Sequence, residues 1–472
     1  MTEDIQFIDA TELAGLIRAK ILSPVELLNA CLDRIDAINP KLNAVVTLVD
    51  NALDRARHAE SAVMRGESLG PLHGVPFTVK DCINTAGVRT TGGSLIFKDY
   101  VPERNATVVE RLTAAGGVMM AKTNLPEFAL WWETGNRVFG QTNNPWNLDR
   151  TPGGSSGGEA AAIFSGMSPI GIGSDVGGSI REPANYCGIV GLKATHGRIP
   201  LTGHWPEVLL RYMHVGPLTK TVRDAALVLP ILSGADGKDP YALHFPDPII
   251  DLKRSLQDIR IAVCPEGYFS PIANDVKSTV VQAAKALEEL GCRVELNSLD
   301  KWDDCSGLSI SDAIYSAEGK YWLTPIVKDK EEFLAPTIKR RLSAPQPSMK
   351  DYQKAVIDCE VLRQNVAHLF SIYDILLCPT GPVVAHPHGS SRLDVDGKEI
   401  VPRSALAATV PFDLTGSPAV TVPFGLSNDG LPVGVQLVGR HLDEGTVLCV
   451  AAALEQVRDK EFESTMRSKI GI

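Results

Sequence analysis

Two serine-centred turns lie within one glycine-rich stretch, residues 151–191, and their residue types suit acyl transfer. The stretch holds eleven of the chain's 41 glycines and six serines, set among short apolar segments. The first turn is Gly153–Gly158 and the second is Asp175–Ser179. In the second, successive N–H groups can curl around a carbonyl oxygen, because its glycines permit that backbone geometry and leave the approach open. Ser179 would then stand beside the same carbonyl carbon, so one loop would supply both the attack and the oxyanion stabilisation.

A base for that serine has to come from elsewhere in the chain. A serine hydroxyl is a weak nucleophile unless a base takes its proton, and none of the ten histidines lies in either turn. Lys80 follows a short apolar strand predicted at 77–79. Burial that keeps its amine neutral near pH 7 would have to lower the pKa by about 3 units. The ordinary alternative is a surface lysine whose stem covers apolar neighbours.

Shorter motifs offer competing interpretations of the same stretch. The run GGSSG meets the Gly-x-Ser-x-Gly pattern of a hydrolase elbow, but residues 143–152 before it do not predict the strand which that elbow requires. The phosphate-loop and dinucleotide patterns are not met. His386 and His388 form an HxH pair without other ligands in a recognisable spacing, so no metal site is predicted.

Aromatic side chains are concentrated between residues 124 and 146. Phe128, Trp131 and Trp132 belong to this group. They would line an apolar substrate pocket or simply pack in the core, and the sequence leaves both alternatives open. We take these three as the candidate substrate-binding residues.

The elements around these residues alternate between strands and helices, which is typical of an α/β layer architecture. Ser23 and Pro24 form a strong helix start, and Pro40 is expected to stop that helix at about Ile38. Residues 198–217 look irregular, and 300–370 look mostly helical, as a peripheral layer or lid. The other predicted helices cover 52–64, 106–115, 160–164, 221–232, 274–290 and 444–457, and the predicted strands cover 77–79, 118–121, 169–173, 261–263, 293–295, 375–378, 419–423 and 434–438.

Length and composition bound the class of protein. A chain of 472 residues suggests two to three domains, although large single domains weaken that inference. With 46 basic against 56 acidic residues and no long basic run, nucleic acid is not an expected partner. The nine cysteines lie far apart, which favours reduced thiols over a disulfide framework. The acidic start and the lack of an apolar run of about 18 residues predict a cytoplasmic protein with no signal peptide and no membrane span.

At this point the residues resemble a known family. Pro152–Gly191, with Lys80 placed 75 residues before Ser155 and Ser179 placed 24 residues after it, is similar to the amidase signature family. The resemblance implies a single large α/β domain, with a central mixed β-sheet covered on both faces by helices. The helices predicted before Gly70 form an N-terminal segment, 1–70, which we expect to pack on the catalytic domain, 71–472. The resemblance extends to LHGVPFTVKD, KTNLPEF, FGQTNNPWN, LTGSPAVTVPFG and GLPVGVQLVG.

The resemblance also implies roles for individual residues. Ser179 is the acyl-forming nucleophile, and Ser155 passes its proton to Lys80, which acts as the general base and then supplies the proton for the leaving amine. The peptide between Gly154 and Ser155 is expected to be cis. No cofactor and no metal are implied. The oxyanion hole is expected to consist of the amides of Val176, Gly177, Gly178 and Ser179.

One local feature supports this assignment, and two others depart from it or leave it ambiguous. Asp175 and Arg181 flank the nucleophile loop, and we expect them to pair and stiffen it rather than to be solvated independently. Glu182 stands where the family usually carries an apolar residue, so this wall is more polar or the side chain points outward. Ser156 lies next to Ser155, and only spacing favours Ser155 as the serine that shuttles the proton.

The expected function is hydrolysis of a small carboxylic amide by water through an acyl-serine intermediate. The aromatic pair Trp131 and Trp132 favours an aryl or alkyl amide. Carbamate and ester hydrolysis by the same three residues are alternatives, and so is a glutamine-hydrolysing subunit of an amidotransferase complex. A binding protein on an inactive scaffold is disfavoured, because Lys80, Ser155 and Ser179 are all present. Assembly as a homodimer is left open.

Overall fold

A mixed β-sheet of eleven strands organises the computed structural model, which describes residues 5–458 and 460–470. Two short hairpins lie outside this sheet. The strands are β1 (Val45–Leu48), β2 (Pro76–Lys80), β3 (Val118–Thr123), β4 (Gly135–Asn136), β5 (Gly140–Gln141), β6 (Ile170–Asp175), β7 (Val190–Lys193), β8 (His214–Thr219), β9 (Arg260–Val263), β10 (Arg293–Leu296), β11 (Ile375–Pro379), β12 (Leu393–Val395), β13 (Lys398–Ile400), β14 (Ala419–Leu426) and β15 (Pro432–Gly439).

The strand order in the large sheet is β1-β3-β2-β6-β8-β7-β14-β15-β11-β9-β10. The β2–β3, β2–β6, β9–β11 and β9–β10 pairs are parallel. The pairs through β8, β14 and β15 are antiparallel. The sheet is therefore mixed, as the family resemblance implied.

Both faces of the sheet are apolar. In β11, Ile375 and Leu377 belong to one hydrophobic cluster, while Leu376 and Cys378 belong to another. Because successive strand residues point to opposite faces, the two clusters lie on the two sides of the sheet. A strand buried on both faces has a continuous apolar sequence, which is why the short apolar segments of this chain predicted its strands well.

Helices cover both faces. The predicted start at Ser23 is confirmed, since its side chain accepts from the Val25 and Glu26 amides and Glu26 completes a capping box. The helices are α1 (Ala10–Arg18), α2 (Pro24–Leu42), α3 (Ala52–Arg65), α4 (Thr107–Ala114), α5 (Gly157–Phe164), α6 (Arg181–Cys187), α7 (Val222–Leu232), α8 (Asn274–Glu289), α9 (Gly307–Val327), α10 (Pro336–Ser343), α11 (Met349–Ile372), α12 (Val410–Leu414), α13 (Glu444–Val457) and α14 (Lys460–Ile470).

The expected stop at Pro40 is wrong. Helix α2 continues through Pro40 to Leu42 and ends at Asn43, which adopts a left-handed conformation with φ of 51°. Proline removes one hydrogen-bond donor from the final turn, but Leu42 is buried against the core and holds the chain in place. Tertiary packing overrides the local stop signal here.

The N-terminal segment is more than a helical layer. Strand β1 lies within it and pairs with β3 at the edge of the large sheet. Leu13 and Leu27 share one hydrophobic cluster with Phe77 of β2. The segment thus contributes both a strand and core side chains to the same folded unit.

Strand β8 lies largely where the sequence looked irregular. It contains Gly216 and Pro217, which local rules associate with turns. A Cβ on Gly216 would lie 2.2 Å from the Leu192 carbonyl oxygen, so the glycine permits close pairing with a neighbouring strand. Glycine therefore marks close approach of two backbones rather than a break.

The region 300–370 is mostly helical, as predicted, and consists chiefly of α9, α10 and α11. Whether it moves as a lid stays a prediction. Within residues 5–458 and 460–470, none of the helices combines the length and the apolar character that crossing a bilayer requires.

Candidate active site

Lys80 lies at the end of β2 and is completely buried. Its Nζ donates to the hydroxyl of Ser155 at 2.6 Å and to that of Ser174 at 3.1 Å. Ser174 belongs to β6, the parallel neighbour of β2. Sequence reasoning missed Ser174, because its contact with Lys80 depends on strand pairing that spacing alone does not reveal.

Burial lowers the pKa of Lys80 to about 8. The nearby Cys82, Asp175 and Glu159 oppose that shift by favouring the ammonium form. Since a pKa of 8 leaves about a tenth of the amine neutral at pH 7, the side chain can act as a base without a large cost. The surface alternative for this lysine is thereby removed.

The two serines of the first turn have different contacts. The Gly154–Ser155 peptide is cis, and the Ser155 hydroxyl meets Lys80. Ser156 instead donates its N–H to the Ser179 carbonyl at 3.1 Å. Its hydroxyl donates to the Ser174 carbonyl and accepts from the Ser174 N–H, each at 3.3 Å. Ser155 is thus the serine that touches the lysine, while Ser156 ties the two turns together.

The nucleophile loop follows β6 and is shaped by Asp175. Its carboxylate accepts the N–H of Gly178 at 2.5 Å and that of Ile180 at 3.1 Å. The Gly178 N–H is therefore committed to Asp175, which corrects its expected place among the oxyanion donors. A short acidic side chain at the end of a strand accepts from the amides that follow it, as in an Asx turn.

Three of the expected oxyanion donors remain available. The N–H groups of Val176, Gly177 and Ser179 have no acceptor among residues 5–458 and 460–470. Ser179 itself is 8% exposed and is the nucleophile candidate that reaches the cavity. Unoccupied amides beside a hydroxyl suit a carbonyl whose oxygen becomes negative during attack.

Arg181 anchors this loop from behind. The pair predicted with Asp175 is present, with Nε 3.0 Å from the carboxylate. The same guanidinium binds Asp413 at 2.8 Å, the Thr409 carbonyl at 2.9 Å and the Gln436 side chain at 2.8 Å. All of these groups are buried. Burial by itself would raise the pKa of Asp175 and lower that of Arg181, but their mutual attraction and hydrogen bonds outweigh it, so the pKa of Asp175 is lowered and that of Arg181 is raised. Such a fully bonded buried guanidinium leaves the loop few alternative conformations.

A cavity of about 70 Å³ opens at Ser179. Trp131 and Trp132 line it, stacked with ring centroids 3.7 Å apart. Phe128 is not among the lining residues; it is fully buried and packs edge-on against Phe97 and Trp205. The remaining lining residues are Ala129, Leu130, Val176, Gly177, Leu209, Tyr315, Arg341, Arg403 and Leu406.

Two arginines in this lining were missed by sequence reasoning. Arg403 donates to Asp312 at 3.0 Å and to Ser311 at 2.7 Å. Arg341 makes no hydrogen bond and no ion pair with any other residue that the structure describes, although Asp312 is close enough to favour its charged form. Burial, and then Arg403, lower the pKa of Arg341 to about 10, so it stays cationic at neutral pH. Nothing in the spacing of Arg341 relates it to the glycine-rich stretch, since α10 brings it to the site.

Metal ligands do not converge on this site. Among the described residues, no group of three or more His, Cys, Asp or Glu side chains is placed to hold a metal ion. The Lys80–Ser155 contact and the amides of the loop are groups that could transfer a proton and stabilise an anion.

Comparisons with known proteins identify the family of this chain. A family model described as Amidase matches residues 26–448. The A subunit of the glutamyl-tRNA(Gln) amidotransferase of Carboxydothermus hydrogenoformans is 36% identical, over 96% of this chain and 98% of its own. A bacterial aryl acylamidase of the amidase signature family superimposes with a TM-score of 0.90 at 28% identity, covering 98% of this chain and 99% of its own. The A subunit of the glutamyl-tRNA(Gln) amidotransferase of Thermotoga maritima gives 0.80 at 31% identity, covering 96% and 95%.

Proposed function

Since the chain belongs to the amidase family, we propose that it hydrolyses the C–N bond of a small amide through an acyl intermediate on Ser179. The observation that carries this proposal is the contact of the fully buried Lys80 with Ser155, 2.6 Å long, in a turn joined to Ser179 by the Ser156 amide. Burying a lysine costs desolvation free energy, and a proton relay to a nucleophile would account for that cost.

In the proposed reaction, a proton passes from Ser179 through Ser155 to Lys80 and later from Lys80 to the leaving nitrogen. Neutral Lys80 takes the proton of Ser155, which takes that of Ser179 as the Ser179 oxygen attacks the amide carbon. The oxyanion is held by the free amides of Val176 and Gly177 and by that of Ser179 itself. The proton on Lys80 returns through Ser155 to the leaving nitrogen, and the C–N bond breaks. Water then attacks the acyl-serine by the same route and releases the acid.

The cavity favours a small substrate with a carboxylate. Its volume of about 70 Å³ is far below the roughly 300 Å³ at which pockets for drug-sized ligands begin, which argues against a bulky aryl amide. Arg341 presents a partly buried guanidinium that has no direct partner among the described residues. Such a cation is stabilised by an anionic ligand, and guanidinium matches carboxylate geometry. We therefore favour an amide that also carries a carboxylate, of which glutamine is one example.

Replacing Arg341 tests this substrate class. Arg341→Met should raise KM for an amide with a carboxylate by roughly 10- to 100-fold, because a charge-assisted hydrogen bond is worth about 1.5–3 kcal/mol. The same variant should leave kcat/KM for a neutral amide of equal length nearly unchanged. The measurement is ammonia release from glutamine and from pentanamide, with the exposed Lys339→Met on the same helix as control. Equal losses on both amides would contradict a carboxylate subsite.

A second candidate is a glutamine-hydrolysing subunit of an amidotransferase complex. Similarity to two amidotransferase A subunits over nearly the whole chain supports this candidate better than a free-standing aryl or alkyl amidase. The stacked pair Trp131 and Trp132 in the cavity instead favours the free-standing amidase, because it offers an apolar surface to the substrate. The purified chain alone should be assayed with glutamine and with an acetanilide. Rapid anilide cleavage without any partner would argue against the subunit, whereas glutamine hydrolysis that needs an added partner would support it.

A further inference from the structure

A buried carboxyl group lies directly behind the first serine turn. Glu182 is completely buried in the first turn of α6. Its Oε2 accepts the N–H of Gly154 at 3.0 Å, and Gly154 is the residue immediately before Ser155. Its own N–H donates to the Gly178 carbonyl at 2.7 Å. One residue therefore contacts the backbone of both serine turns.

Several buried polar groups near Glu182 have unused hydrogen-bonding capacity. Among the described residues, Glu182 Oε1, the Tyr186 hydroxyl and His386 Nε2 have no hydrogen-bond partner. Tyr186 lies four residues further along α6, so it shares a face with Glu182, and its ring packs edge-on against His386 at 6.0 Å. Glu133 lies 4.0 Å from His386 and accepts the Gly389 amide.

The protonation state of Glu182 follows from these surroundings. Burial, together with the negative charges of Glu133 and Asp175, raises its pKa well above the ordinary range, although the Gly154 amide opposes the shift. These surroundings favour the protonated, neutral form of the group. A neutral acid still offers one carbonyl oxygen as an acceptor, and its other oxygen carries a hydrogen. In this form it can hold the Gly154 amide without placing a further negative charge at the first serine turn.

We propose that Glu182 is a positioning residue, whose carboxyl oxygen fixes the Gly154 amide and so holds the Ser155 hydroxyl in line between Lys80 and Ser179. This inference rests on the proposed relay through Ser155. An apolar side chain of similar size would fill the same space and would avoid burying an unpartnered O–H, which typically costs about 1–3 kcal/mol. The acidic side chain therefore supplies an acceptor that packing alone does not require.

Two substitutions of Glu182 distinguish its role as a hydrogen-bond acceptor from its ability to ionise. Glu182→Gln keeps an oxygen for Gly154 but cannot ionise, and it should retain kcat within about threefold. Glu182→Leu removes the acceptor, and it should lower kcat about tenfold with KM nearly unchanged, since a net backbone hydrogen bond is worth about one factor of ten. Tyr186→Phe, in the same cluster but without a contact to Gly154, is the matched control and should behave as wild type.

The reactivity of Ser179 provides a readout that needs no amide substrate. Its labelling rate with a sulfonyl fluoride, followed by intact-mass spectrometry, should fall in the Leu variant and be restored in the Gln variant. A Leu variant with wild-type kcat and labelling rate would overturn the proposal, and so would equal losses in Leu and Gln. If Leu does not fold, as judged by thermal unfolding, Glu182→Met replaces it in the same comparison. Wild-type protein that labels at Ser179 but hydrolyses no amide would overturn the proposed function and still leave the positioning role measurable.

Discussion

Lys80 and Lys122 occupy neighbouring parallel strands and are alike in their burial and acidity. Both side chains are completely buried, and burial lowers the pKa of each to about 8. Their acceptors differ. Lys80 donates to two serine hydroxyls, whereas Lys122 donates to the Ile83 carbonyl and to the hydroxyls of Thr85 and Thr90 at 3.3 and 3.2 Å.

The contrast shows that a depressed lysine pKa does not by itself identify a catalytic base. Lys122 secures the loop after β2, and none of its three acceptors lines the cavity at Ser179. Lys80 reaches a hydroxyl whose turn is bonded to Ser179 at the cavity. What separates the two sites is the group that each lysine touches, so chemistry should respond to changes at one site and stability to changes at the other.

The largest effect should come from removing the nucleophile on the Lys80 side. Ser179→Ala should fold normally and lower kcat by about 10⁴-fold or more, because the covalent step is lost. Intact-mass spectrometry after a sulfonyl fluoride should show one label on wild type and none on the variant. Labelling of a peptide containing Thr85 or Thr90 would break the contrast, since it would reveal a reactive hydroxyl beside Lys122.

The lysines themselves give the next largest difference. Lys80→Met should slow acylation by about 10²- to 10⁴-fold, the usual contribution of a general base. Lys122→Met should keep kcat within about threefold for the folded protein. It should instead lower the free energy of unfolding by about 1–3 kcal/mol, because a buried carbonyl and two hydroxyls lose their donor. Stopped-flow acylation and urea denaturation of both variants measure the two quantities, and a Lys122 variant with the slower acylation would contradict the assignment.

The pH dependence of kcat/KM should distinguish Lys80 from Lys122 through a smaller effect. Only neutral Lys80 accepts a proton, so kcat/KM should rise about tenfold per unit as pH increases and should level off above about 8. The profile of Lys122→Met should be the same. A wild-type profile that is flat between pH 6 and 8 would show that Lys80 does not limit the reaction.

Stability should depend on pH through both lysines. Each has a pKa of about 8 in the folded protein, below the ordinary 10.5, so the unfolded chain binds more protons between these values. Stability contributed by either amine therefore increases as pH rises through that window. The difference in unfolding free energy between wild type and Lys122→Met should grow from pH 8 to 10, as urea denaturation at several pH values would show.

Much of the fold was predictable, because its signals are local. Apolar runs such as 375–378 gave strands, and Ser23 with Pro24 gave a helix start. Strand β8 was missed, since Gly216 suggests a turn until the neighbouring backbone is seen beside it. The helix stop predicted at Pro40 was wrong for the same reason, because the burial of Leu42 depends on tertiary packing.

The candidate site divides in a similar way. The resemblance placed Lys80, Ser155 and Ser179 by number, and the structure brings Lys80 and Ser155 into contact. Ser174 and Arg341 carry no such spacing, because strand pairing and helix packing bring them to the site. The roles expected for the oxyanion amides also needed coordinates, since the use of the Gly178 amide by Asp175 depends on the actual turn.

The bonds made by Arg181 have a consequence for how the protein is made. Its partners Thr409, Asp413 and Gln436 lie 228, 232 and 255 residues away along the chain. A nascent polypeptide that already carries Lys80, Ser155 and Ser179 has Asp175 as a partner for Arg181 but still lacks the three later groups that complete its hydrogen bonds. Ser179 can therefore reach the arrangement described here only after Gln436 has been synthesised, long after the residues of its own turn.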